Sequence, residues 1–230
     1  GYKCGNKSTL PTGPGAASPQ RLAEPPNNGL DGVIALIELN VRPLTLEGES
    51  VCLEPLSQDH AQGLYSRGRH EPDWLYMPRA CFVDAADVRH WIDEALLAPN
   101  QLPFAIVEKA KGRVAGSTRY LNIREEHRSL EIGWTWLGQD FQRSVVNTET
   151  KLLLLSHAFE RLGCIRVEFK TDSRNLRAQQ ALERIGAIKE GVLRKHMVVQ
   201  EGYHRDSVYF SVTVEEWPEV KKRLQGLCNR

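Results

Sequence analysis

The sequence predicts a mixed α/β (α+β) fold, a mostly antiparallel central sheet flanked by helices, and three observations carry that prediction. LPFAIVEKAKGRVAGSTRYLNI, from Leu102 to Ile123, alternates as two strands around Lys111-Gly112, and SLEIGWTWL (Ser129–Leu137) adds a third, which makes an antiparallel meander. From that third strand on, the pattern changes to strand, helix, strand, helix, strand. Between these halves, EIGWTWLGQDFQRSVVNTE from Glu131 to Glu149 reads as a strand, a short polar turn and the first turn of a helix.

Taken in order, residues 1–31 hold Pro11, Pro14, Pro19, Pro25 and Pro26 among Gly, Ser and Asn, without apolar periodicity. Such a segment cannot bury enough apolar surface to offset ordering, so 1–45 is expected to be a flexible extension and 46–230 a single domain. Val33–Leu39 is a candidate edge strand at the entry. Val51–Ser57 alternates until Pro55, and QDHAQGLYSRG follows as a short helix with Asp59 in its first turn. A loop containing Trp74, Tyr76 and Met77 reads either as the rim of a substrate mouth or as a cap over the core. Behind Asp84, a candidate N-cap, Val88, Trp91, Ile92, Ala95 and Leu96 recur at helical spacing.

In the meander's third strand, alternation sends Leu130, Ile132, Trp134 and Trp136 one way and Glu131, Gly133, Thr135 and Leu137 the other. KLLLLSHAFERLG predicts an apolar helix over Lys151–Leu162 that stops at Gly163. A strand over Cys164–Lys170, a helix over Asn175–Ile185 and a strand over Ala187–Leu193 follow, with Arg194-Lys195 at the strand end. SVYFSVT then closes the sheet and EEWPEVKKRLQGL forms a terminal helix.

Composition limits the partners. The 230 residues carry a net charge of +1 and 41% hydrophobic content, values of an ordinary chain with a real core and without the basic excess of a nucleic-acid or membrane-surface binder. The five cysteines are far apart and form no C-x-x-C pair, which argues against a zinc site and a disulfide framework and favours a reducing cytoplasm. No apolar run approaches the roughly 20 residues of a membrane helix, and VIALIEL is too short and lacks a basic flank, so no targeting segment is expected. No metal is expected. The polar turn before the leucine helix can gather a phosphate on unpaired helix-start amides, with Arg143 nearby.

These residues carry a resemblance. The strand, Q-R-x-x-V-N-T-E, the leucine helix, the next strand, N-L-R-A-Q-Q-A-L-E-R-I-G-A-I and E-G-V-L-R-K-H resemble the GNAT superfamily of N-acetyltransferases, in its ribosomal-protein-type branch, over about Leu46–Leu224. The resemblance implies a V-shaped splay between the fourth and fifth strands, here Leu130–Leu137 and Arg166–Thr171. Acetyl-CoA would enter there as co-substrate, its pyrophosphate on the turn Gln142–Thr148. The implied cofactor contacts are Trp134, Trp136, Leu137, Gln142, Arg143, Ser144, Val145, Val146, Asn147, Thr148, Asn175 and Arg177, with Asn175 near the acetyl end or serving as a helix N-cap. The chain departs from the family at Val145, whose β-branch disfavours positive φ and crowds the phosphate. It departs also at Leu182 and Ala178, where members carry a tyrosine and often a serine, so that no general acid is evident.

Glu131 is the candidate base, acting on the attacking ammonium directly or through water; the plainer reading is a solvated strand carboxylate. His196 and His204 are candidate substrate contacts, though lone histidines are more often incidental, and His157 reads as a core-edge residue. The expected activity is direct transfer of acetyl from acetyl-CoA to an amine, with backbone amides of Trp134–Leu137 holding the oxyanion. A non-catalytic acyl-CoA-binding or regulatory module is the rival; a nucleotide-binding protein lacks its G-x-G-x-x-G and Walker lysine. An α-amine of pKa near 8 is about a tenth neutral at pH 7, and a lysine far less, which favours a peptide N-terminus or a small amine of low pKa. A homodimer is compatible with all of this.

Overall fold

The computed structural model describes residues 39–229. Of the expected edge strand Val33–Leu39 all but Leu39, which is not in a strand, lies outside them, as does most of the expected extension. Strands β1 (Leu46–Glu47), β2 (Val51–Pro55), β3 (Leu102–Glu108), β4 (Arg113–Arg124) and β5 (Ser129–Leu137) each pair antiparallel with the next. β5 then pairs parallel with β6 (Arg166–Asp172). The last two strands, β7 (Ile188–Val198) and β8 (His204–Thr213), are antiparallel to each other, and β8 lies between β6 and β7. Leu39 is buried in the main core, with Val41 and Leu44 against it, so packing reaches back beyond residue 46.

Each face of the sheet has its own apolar cluster. On one, α3 (Val145–Ser156), α4 (Leu176–Ile185) and α5 (Trp217–Cys228) cover Leu130, Ile132, Val167, Phe169, Val208 and Phe210. On the other, α1 (Ala61–Arg67) and α2 (Ala85–Leu97) gather Leu64, Trp74, Phe82, Trp91, Ile92 and Trp136. Asp84 caps α2 by accepting the Asp87 amide at 2.8 Å, as its sequence position predicts. Val88, Trp91, Ile92 and Ala95 are buried, but Leu96 is half exposed and does not belong to that stripe.

The splay is present, but a two-residue first strand shifts the count, so the strands that part are β5 and β6. They pair only from Ser129–Glu131 to Arg166–Glu168, and beyond Glu131 nothing in the sheet lies against that edge of β5. On the β4 side a bulge interrupts the ladder: Gly133 faces Arg119 and Trp136 faces Ser117, which leaves one extra residue in β5. Trp134 absorbs it with φ 50°. The extra residue reverses the alternation, and this corrects the expected strand faces. Trp136 joins the cluster under α1 and α2, on the same side as Glu131, while Leu137 returns to the main core.

The leucine helix begins at Val145 rather than Lys151, and its last turn widens over His157–Arg161 before Gly163 at φ 66° ends it. β7 runs past Leu193 to Val198 as an exposed edge, with an irregular register between Leu193 and Met197, so Arg194 and Lys195 lie inside the strand.

Candidate active site

Where β5 and β6 part, a cavity of about 420 Å³ opens. One end of its wall holds Gln142, Arg143 and Asn147 from the turn and the start of α3; elsewhere it holds Glu131, Lys170, Tyr76, Met197 and Arg205. The unpaired edge of β5 from Ile132 to Leu137 lies between, so main-chain donors and acceptors that a continuous ladder would have consumed face this space.

At the α3 end, Ser144 is the N-cap: its Oγ accepts the Val146 amide at 3.3 Å and donates to Phe141 O at 2.6 Å. The amides of Val145 and Asn147 precede the first intrahelical acceptor and stay available for an anion, at the positive end of the helix dipole. The positive φ of the turn falls on Arg143, at 57°, whereas Val145 is the first helical residue, so its β-branch meets no backbone strain. Arg143 is exposed at the cavity rim, and Val146 and Thr148 turn inward. Gln142 is a fastener: its Nε2 donates to Asp73 Oδ1 at 2.7 Å and to Leu137 O at 3.1 Å, while its Oε1 accepts from Arg177 at 2.9 Å. Asn175 both caps α4, accepting the Ala178 amide at 3.0 Å, and lines the cavity.

Glu131 is 1% exposed, unlike a solvated strand carboxylate. Asn122 Nδ2 donates to its Oε2 at 2.8 Å and Lys170 Nζ at 3.2 Å. Arg205, 4% exposed, and the loop residues Tyr76 and Met77 line the same cavity. That loop serves both roles the sequence left open. Trp74 is core, its ring 5.0 Å from that of Trp136, while Pro72, Tyr76, Met77 and Pro78 line the cavity. Gln200, between β7 and β8, anchors it by donating to the carbonyls of Trp74, Met77 and Arg79 at 2.8, 2.8 and 2.7 Å.

His196 is outside the cavity wall, with Nδ1 3.0 Å from Ser207 Oγ; burial and the charges of Lys170 and Arg205 lower its pKa. His204 is exposed. His157 is buried 3.2 Å from the Tyr120 hydroxyl, and burial holds it neutral-leaning. On α4, Ala178, Ala181 and Leu182 give the wall an apolar stretch without a proton donor.

One residue of the wall had no place in the sequence-based site. Lys151, in the second turn of α3, is 8% exposed, and its Nζ donates to Thr135 Oγ1 at 3.0 Å and lies 5.4 Å from the Phe169 ring centroid. Burial pulls its pKa down to about 7.

The "Acetyltransferase (GNAT) domain" family model matches residues 50–188. The Bacillus subtilis (strain 168) protein named "Putative ribosomal N-acetyltransferase YdaF" is 32% identical over 110 residues, covering 48% of this chain and 59% of the relative, so little more than half the relative's length is spanned. The crystal structure of a GCN5-related N-acetyltransferase from Brucella melitensis superposes with a TM-score of 0.78 at 32% identity, over 82% of this chain and 86% of that one. A ribosomal-protein-S5-alanine acetyltransferase from Vibrio fischeri, at 18% identity and a TM-score of 0.61 over 76% and 98% of the chains, shares the fold.

Proposed function

Because the chain belongs to the family of GNAT acetyltransferases, we propose that it moves an acetyl group from acetyl-CoA to an amine by direct attack, with Glu131 as the base. The observation that carries this reading is the shared cavity: helix-start amides suited to a diphosphate, an unpaired strand edge and a buried carboxylate line one space. The residues suit acetyl-CoA. Val145 and Asn147 amides with Arg143 would take the pyrophosphate, the open edge of β5 would hydrogen-bond the pantetheine amides, and Asn175 would meet the far end. The bulge at Trp134 frees main-chain amides from the β4 ladder, which suits them to an oxyanion on the thioester carbon.

The acceptor in this reading is an α-amine, a peptide N-terminus or a small amine of low pKa, because such an amine asks least of a carboxylate base. The ribosomal name of the Bacillus subtilis relative fits a protein N-terminus. A cytoplasmic setting fits the free Cys52, Cys81, Cys164 and Cys228 and the absence, among the described residues, of any helix long and apolar enough to cross a membrane.

The rival, a binding module without turnover, draws on the apolar α4 wall at Ala178 and Leu182. Glu131→Gln separates the two. It keeps the shape and a hydrogen-bonding oxygen but cannot take a proton, so kcat for thiol release should fall by roughly 10² to 10⁴ while acetyl-CoA affinity stays nearly unchanged. Full turnover in the variant would remove Glu131 from the chemistry. Binding of acetyl-CoA without thiol release by the parent protein, across a panel of amines, would favour the module.

A further inference from the structure

Lys151 is a buried cation whose neighbours are neutral. Thr135 Oγ1 is its single hydrogen-bond acceptor among the described residues, Thr135 in turn lies 2.8 Å from Thr118 Oγ1, and the nearby Phe169 is apolar. The other charged groups in the cavity wall are Asp73, Glu131, Arg143, Lys170, Arg177 and Arg205, yet it is burial that lowers the pKa of Lys151. A charge placed this way works against folding unless something else requires it. It sits against Thr135, directly after the bulge at Trp134, where the preceding reading places the thioester. The α4 wall, where a proton donor would otherwise stand, supplies none.

We propose that Lys151 is the general acid of the transfer, giving a proton to the sulfur of CoA as the thioester breaks. The inference rests on the acetyl transfer proposed above. The acceptor nitrogen bonds to the acetyl carbon, and the carbon–sulfur bond breaks with its electron pair on sulfur. Lys151 Nζ passes one proton to that sulfur, the surplus proton on nitrogen goes to Glu131 or water, and Lys151 regains a proton from solvent. With a pKa near 7 the ammonium is a competent donor at neutral pH, which a lysine at its ordinary value is not. Lys151 ionisation therefore adds a descending limb to kcat/KM above about pH 7, opposed to the rise from deprotonation of the acceptor amine.

The test uses CoA itself as a probe, together with acetyl-CoA and the best acceptor from a panel of short peptides with free N-termini. Ultraviolet absorbance of the thiolate reports ionisation of bound CoA in the parent protein, in Lys151→Met and in Lys151→Arg. A cation beside sulfur stabilises the thiolate while Lys151 holds its proton, so at pH 7 bound CoA should carry several-fold more thiolate in the parent than in Lys151→Met. In that variant kcat should fall by about 10² or more with acetyl-CoA affinity within a few-fold. Lys151→Arg covers the case in which the methionine protein does not fold. It keeps the charge but cannot give up its proton, so kcat should fall and the descending limb should vanish. An unchanged thiolate fraction and kcat in Lys151→Met, or parental kcat and limb in Lys151→Arg, overturns this proposal alone. Failure of the parent protein to bind acetyl-CoA or to release thiol overturns the acetyl-transfer reading and this proposal with it.

Discussion

Arg143 combines two demands in one residue: the left-handed backbone of the turn, at φ 57°, and a charged side chain at the rim of the cavity. Arg143→Ala separates them, because alanine tolerates the left-handed region no better than arginine, so the backbone cost is nearly constant and the side chain is the variable. Affinity for CoA should fall by about 10- to 100-fold, the worth of a charge-assisted bond to phosphate, while pantetheine fragments without the diphosphate should bind as before. Equal weakening of both ligands, measured by calorimetry, would assign Arg143 to the turn alone. Sequence reasoning put the conformational question at Val145, because the family pattern places small residues there. A single sequence shows which residues tolerate positive φ, not which position bears it. The same holds at Trp134, where regular alternation hid the bulge and placed Trp136 on the wrong face.

At the scale of elements, α3 ties the phosphate turn to the sheet through Glu149. Its buried carboxylate accepts the amides of Glu49 and Ser50 in the β1–β2 turn, the latter at 3.0 Å. Glu149→Ala would leave both amides without that acceptor, and urea unfolding should show a loss of about 2 to 3 kcal/mol with an unchanged m value. A loss under about 0.5 kcal/mol would mean that water replaces the carboxylate at no cost. The leucines made the body of this helix legible, and Asn175 and Asp84 marked other helix starts correctly. The start of α3 was only partly legible: a first helical turn is expected before Glu149, but the helix body is bounded at Lys151, because Val145, Val146, Asn147 and Thr148 are weak helix formers. That error concealed Lys151. As the first residue of a helix a lysine is ordinarily solvated; as the seventh residue of a helix beginning at Val145 it lies against Thr135 and the cavity.

For the whole molecule, the buried ionisable groups set a pH optimum of stability on the alkaline side of neutral. Lys151 has a folded pKa of about 7, below its unfolded value near 10.4, so between these the unfolded chain binds more protons and stability rises with pH. The cost of its charge is full below pH 7 and is relieved as the ammonium loses its proton in the native state. His157 and His196, also lowered by burial, add a rise at lower pH in the same direction. Cys52 and Cys164 act oppositely. Burial pushes them up to about 11 and about 12, so above about pH 9 the unfolded thiols ionise first and stability falls, with Tyr120 adding to the loss at higher pH. Chemical denaturation of the ligand-free protein should therefore show stability climbing by about 1 kcal/mol between pH 7 and pH 9, the lysine's gain being partly offset by the thiols, then turning down. Lys151→Met should abolish most of the climb and leave the downturn, since the thiols remain. A parent protein whose stability is flat from pH 7 to pH 9, or a methionine variant that keeps the climb, would show that the ammonium is solvated in the native state and that another group shapes the profile.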